Sequence, residues 1–178
     1  MAGDLILVWI FYHSLAQTVA GVTDTEGNTY AGPVVGPTQG AGNLAGWQQE
    51  IWYAKNIHGG TKPTVTATFS SMPAIAFERR ISAHEYSGAS GTDPIDVTSA
   101  AIGATVNASS GSVATTAAGL IFGAAIFAST GSAGPGFTDR STLDGNISED
   151  GPVATPGSAE ATFINTAQDW IAQMVTLK

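Results

Sequence analysis

The sequence predicts an all-β fold, a jelly-roll-like antiparallel sandwich of two sheets with little or no helix, and three observations predict it. Short runs of β-branched and aromatic residues alternate with Gly, Pro, Asn and Asp turn signals along all 178 residues, the pattern of a sandwich or barrel. Two runs, LILVWIFY (5–12) and LIFGAAIF (120–127), are apolar without alternation, which suits strands covered on both faces and implies two packed sheets. No stretch of a dozen residues carries a capped helical stripe. A single domain over residues 1–178 accommodates all of this.

The opening run has the apolar length of a secretion signal. However, the preceding Met1-Ala2-Gly3-Asp4 holds an acid and no base, so the n-region of a signal peptide is missing. Ile6, Val8, Trp9, Ile10, Phe11 and Tyr12 favour a strand. Residues 19–23 form a second strand that enters a turn at 24–28, where Gly27 and Asn28 tolerate positive φ. An extended piece at Thr29-Tyr30 gives way to a Gly/Pro-rich segment, 32–46, which reads as loop. Residues 47–54 alternate Trp47, Gln49, Ile51 and Tyr53 against Gln48, Glu50 and Trp52. Residues 64–70 alternate more cleanly, with Val65, Ala67 and Phe69 inward. The next long strand is 74–86. After a weakly patterned stretch, 95–106, and a short strand near 112–116, the second apolar run follows. Residues 129–156 read mostly as loop, and 158–165 and 169–177 close the chain.

Only 11% of residues are charged and 43% are apolar, against roughly 25% charged in an average soluble domain. Fourteen acids and six bases give a formal charge of −8. That field repels polyanions, so nucleic acid is excluded as a general partner. Cysteine is absent, which removes disulfides, thiolate metal sites and a Cys nucleophile. No apolar run approaches the roughly 18 residues of a spanning helix, so membrane insertion is not expected.

In order along the chain stand AGDLILVWIFY, VTDTEGNTY, IWYAKNIHGGTKPTVTATFS, HEYSG with DPID, TAAGLIFGAAIF, GFTDR and DWIAQMVTLK. Together they resemble a type of β-sandwich module of secreted or surface-attached bacterial proteins, often found beside fibronectin-like or carbohydrate-active domains. The resemblance implies binding or adhesion in an extracellular or cell-surface location, with the signal sequence outside this chain. It supplies no catalytic residue. It also implies a strand ahead of Ala2-Gly3-Asp4. The expectation is therefore a piece of a longer chain, or an opening strand completed by a neighbour or by self-association.

The strand at 74–86 is the richest chemically. With period two, Ile75, Phe77, Arg79, Ile81, Ala83 and Glu85 share one face, and Ala76, Glu78, Arg80, Ser82, His84 and Tyr86 share the other. The second reads as a polar sheet face able to hydrogen-bond a ligand, with Tyr86 as a stacking surface. Glu85, among apolar neighbours, is expected to be a structural buried acid. Trp52 is expected to be an exposed aromatic. The candidate ligand-binding set is thus Glu78, Arg80, His84, Tyr86 and Trp52. Glu78 and Glu85 point to opposite faces roughly 23 Å apart, too far for a glycosidase pair, whose carboxyls sit about 5–9.5 Å apart. Asp24, Glu26 and Asn28 alternate oxygen ligands along a turn and could take calcium, although turn-forming Asp and Asn explain the loop without metal and are the favoured reading. No other cofactor is expected. His13, His58 and His84 lack metal-ligand spacing, and no Gly-x-Ser-x-Gly elbow occurs.

The functional expectation is a non-catalytic module recognising a glycan or a protein surface. Next comes a self-assembling structural subunit of a surface or phage particle, and after it a polysaccharide-active hydrolase or lyase.

Overall fold

The computed structural model describes residues 1–60, 62–71, 78–166 and 168–178. Sixteen strands are assigned among them. The first half of the chain supplies β1 (Leu5–His13), β2 (Val19–Asp24), β3 (Tyr30–Gln39), β4 (Trp47–Ala54), β5 (Val65–Phe69) and β6 (Arg79–Tyr86). The second half supplies β7 (Ile95–Gly103), β8 (Asn107–Ser109), β9 (Val113–Ala114), β10 (Gly119–Phe127) and β11 (Gly131–Ala133). It continues with β12 (Thr138–Leu143), β13 (Asn146–Val153), β14 (Ser158–Ala159), β15 (Thr162–Asn165) and β16 (Trp170–Leu177). The helical content of the described residues is one 3-10 turn at Gly42–Leu44.

The protein is an antiparallel β-sandwich. One sheet has the order β3-β4-β1-β6 and the facing sheet β12-β13-β10-β16-β7. Strands do not alternate between these sheets, since the first half of the chain builds one and the second half builds the other. Each sheet also has its own outer cover. The β2–β5 ribbon lies over the first, and β8, β11 and β15 with the β9–β14 pair lie over the second.

This layering explains the two unbroken apolar runs. Along β1, Leu5, Leu7, Trp9 and Phe11 enter the central core, while Ile6, Val8, Ile10 and Tyr12 pack under the β2–β5 ribbon. Along β10, Phe122, Ala124 and Ile126 enter the central core, and Ile121, Ala125 and Phe127 pack under the other cover. Period-two alternation with both faces apolar yields a continuous run. Gly123 keeps the second sheet close to its cover, because a Cβ there would stand 2.7 Å from Ala161 Cβ and 3.0 Å from Phe163. Polar side chains also bridge the two sheets. Gln49 accepts from Trp9 Nε1 (3.0 Å) and donates to the carbonyls of Ala124 (3.1 Å) and Ile171 (3.3 Å).

Three expectations change. The segment 32–46 is not all loop, since β3 runs through it to Gln39 with Pro33 and Pro37 inside. Proline is tolerated there because β3 is an edge strand that pairs only with β4, with register shifts around Val35. The segment 129–156 holds three strands, including the buried β13. Finally, both sides of β1 are filled from within the chain, by β4 and β6. A strand supplied from elsewhere would have to pair at a sheet edge, not beside β1.

Of the strand expected at 74–86, Arg79–Tyr86 is seen as β6; Ala74, Ile75, Ala76 and Phe77 lie outside the described residues. Its two faces are the reverse of the expected ones. Ile81, Ala83 and Glu85 are exposed, and Ser82, His84 and Tyr86 turn inward. The cause is the extent of the covering ribbon. Arg79 still meets it, with its guanidinium 4.3 Å over the Phe69 ring and bonded to Gln17 at 2.9 Å, but beyond Arg79 the ribbon no longer covers the outer face of β6.

Candidate functional site

The inward face of β6 is polar, so it needs hydrogen-bonding partners where it meets the second sheet. β12 and β13 provide them. These strands form a hairpin closed by Asp144-Gly145, both at positive φ (54° and 80°), the backbone of a two-residue type I′ turn. Between Asp139 and Ser141 the pairing slips by one residue. Arg140 is therefore the extra residue of a β-bulge, a device that re-aims a side chain.

Arg140 turns toward Asp150 of β13. Its Nε donates to Oδ2 at 2.6 Å and its Nη2 to Oδ1 at 2.7 Å, a bidentate pair with fixed geometry. The Asp150 side chain is only 4% exposed, whereas Arg140 is 47% exposed. Tyr86 also donates to Asp150 Oδ2, at 3.1 Å. Burial and the Asp150 charge push the Tyr86 phenol far above its ordinary range, so it stays a donor.

Deeper along the seam, His84 Nε2 lies 2.9 Å from Ser82 Oγ and 3.1 Å from Ser148 Oγ. Ser141 Oγ joins both serines, at 3.1 and 2.7 Å. The imidazole packs against Phe122 with ring centres 5.1 Å apart. Burial pushes His84 down to about 4, with Asp150 opposing and Arg140 reinforcing, so the ring is neutral near pH 7. A serine beside a neutral imidazole suggests a nucleophile. Yet the Asp150 carboxylate bonds Arg140 and Tyr86, and a triad needs an acid that orients the imidazole. The cluster is built to hold groups still.

Above this network opens a cavity of about 480 Å³ lined by Ala83, His84, Glu85, Tyr86, Ser87, Arg140 and Asp150. Its size falls in the usual range of ligand pockets, about 300–1,000 Å³.

Of the residues expected from sequence to bind a ligand, the structure brings Tyr86 and His84 together here. Arg80 shares the inward face of β6 but lies further along the seam, outside the cavity lining, with its Nε 2.5 Å from Asp144 Oδ2 in the hairpin turn. Glu78 is exposed beside a separate cavity of about 260 Å³ with Phe11 and Trp47. Trp52, expected to be exposed, is 7% exposed among Ile6, Val8 and Ile57. It shares a face with Gln48 and Glu50 as expected, but that face is covered.

Glu85, expected to be a buried acid, lies on the outer face with its side chain 47% exposed and paired with the Met1 ammonium. Besides Asp150, buried acids occur elsewhere among the described residues. Glu149 of β13 is fully buried; Oε2 accepts from Gly134 N at 3.0 Å and Oε1 has no hydrogen-bond partner. Burial, with the charges of Asp139 and Asp150, pushes its carboxyl up to about 8. Glu50 of β4 is 2% exposed and lies 3.4 Å from the Tyr12 hydroxyl. Burial pushes it up to about 7, with the Tyr12 bond opposing.

In the 24–28 turn, Asp24 Oδ1 accepts from the backbone of Glu26 and Asn28, both at 3.0 Å. Oδ2 accepts from Asn28 Nδ2 (2.7 Å) and Tyr30 (2.9 Å). Asn28 Oδ1 accepts from His58 N at 2.7 Å. The turn is held by these bonds, and Asp24 and Asn28 would have to give them up to coordinate calcium. Among the described residues no group of three or more His, Asp or Glu is placed to hold a metal ion.

Arg140 and Asp150 escaped the sequence reading because their segment looked like loop. The Asp-Gly pair at 144–145 between two extended stretches was the signal that could have found them. None of the protein-family models, curated proteins or solved structures compared with the chain matches it.

Proposed function

We propose that this protein is a non-catalytic binding module, extracellular or cell-surface, that recognises a glycan at the cavity between β6 and the β12–β13 hairpin. The observation that carries the reading is the Arg140–Asp150–Tyr86 constellation at its wall. A bulged arginine, a nearly buried carboxylate and a phenol are locked to one another and still border open space. Preorganised donors and acceptors beside an aromatic ring suit a ligand made of hydroxyl groups. The order of motifs from Ala2-Gly3-Asp4 to Asp169-Trp170 resembles modules of secreted or surface-attached bacterial proteins, which supports the location and the non-catalytic role.

The test is a glycan array followed by calorimetric titration of any hit. Tyr86→Ala and Arg140→Gln should each weaken binding at least tenfold, while circular dichroism reports an unchanged fold. An array without a hit, or hits indifferent to both variants, would overturn the reading.

A self-assembling structural subunit is the second reading, and one observation favours it. β6 is the edge strand of its sheet, with Ile81 39% exposed on its outer face, and an open strand edge invites pairing. Light scattering separates the two, since a high-mass species that Ile81→Lys disperses would favour assembly.

A further inference from the structure

We infer that the ligand is a neutral saccharide carrying a small apolar substituent, an acetamido or 6-deoxy methyl group, held across two cavities that meet at Tyr86. The inference rests on the binding reading above and names its ligand class. Beside the polar cavity lies a second one of about 200 Å³ lined by Ala89, Leu120 and Leu177 with the backbone of Gly88 and Gly119. Tyr86 and Ser87 belong to the walls of both. Tyr86 is a fixed partition, because its hydroxyl is tied to Asp150 at 3.1 Å and its ring packs edge-on against Phe122 at 6.2 Å.

The two compartments differ in chemistry. On the polar side, the Arg140 guanidinium faces a cationic ligand with like charge. Asp150 is its bidentate counter-charge and Glu85 at the rim is paired with the Met1 ammonium, so the wall carries no unpaired charge for an ionic ligand to answer, and the overall charge of −8 disfavours an anionic one. A neutral ligand whose hydroxyls both donate and accept suits such a wall. On the apolar side, the charged group at the margin is Lys178, whose ammonium is drawn 3.1 Å from Asp93. The leucine-lined remainder rewards a methyl group and offers a hydroxyl few partners. Moving one methyl out of water changes affinity by a few-fold, so the substituent can decide which sugar is held.

Calorimetric titration on the intact protein tests this with two matched pairs. One is methyl β-D-glucopyranoside against methyl N-acetyl-β-D-glucosaminide. The other is methyl β-D-galactopyranoside against its 6-deoxy counterpart. The substituted sugar of at least one pair should bind about threefold to fourfold tighter or more, and Ala89→Phe should bring that ratio toward one. Methyl-labelled NMR gives a readout independent of any variant: Leu120 and Leu177 methyl resonances should shift with the substituted sugar and not with its parent. Equal affinity within both pairs, a ratio that survives Ala89→Phe, or unmoved leucine methyls overturns the inference and leaves the glycan reading standing. Binding of none of the four sugars, with a blank array, overturns both.

Discussion

Glu149 is the residue whose behaviour most sharply tests the packing. Its carboxyl is sealed between β13 and the outer cover, with one oxygen bonded to Gly134 N and the other unpartnered. Charge there is opposed by burial, so the folded chain keeps a proton that the unfolded chain releases near the ordinary value of 4.5. Stability from this group is complete below pH 4.5 and is lost as pH rises toward 8. Glu149→Gln should therefore raise the melting temperature by roughly 5 °C at pH 8 and change it little at pH 5. Equal effects at both pH values would show that the carboxyl is not held neutral. The residues behind the site were legible unevenly. His84 and Tyr86 sat in a period-two pattern that named them correctly as partners on one face. Glu85 and Trp52 were misplaced because exposure depends on which layer covers a face, and period two cannot say where a cover ends.

At the scale of elements, the same limit explains β13. Asn146, Ser148, Glu149 and Asp150 are all buried, yet buried polar residues in sequence look like a surface loop. Strands β1 and β10 declared themselves because hydrocarbon on both faces leaves no other reading. The β12–β13 hairpin depends on Gly145 at φ 80°, where a Cβ would also stand 2.8 Å from Thr130 Cγ2. Gly145→Val should cost about 2 kcal/mol in urea unfolding, since a β-branched residue resists that conformation. It should also weaken ligand binding, because the hairpin carries both Arg140 and Asp150. A variant as stable as the parent would show that the turn can be rebuilt without its left-handed glycine.

For the whole molecule, the ionisable interior sets a direction with pH. Glu50 and Glu149, raised to about 7 and about 8, each favour folding more at lower pH. His84 acts oppositely: lowered from 6.5 to about 4, it contributes above pH 6.5 and loses that contribution as pH falls. Two carboxyls outweigh one imidazole between pH 4.5 and 6.5, and above 6.5 the carboxyls act alone. Repulsion from the −8 charge also eases as pH falls toward the isoelectric point of about 4.5. The melting temperature should therefore be several degrees higher at pH 5 than at pH 8, a thermal scan across that range being the check; the reverse order would mean these interior groups are hydrated. The chain's division into two halves has a mechanical meaning as well. Each half owns a sheet and its cover, and the cavity proposed to hold ligand lies on the joint between them. An occupant touching Tyr86 on one side and Arg140 on the other acts as a rivet, and its binding free energy adds to the work of prying the halves apart.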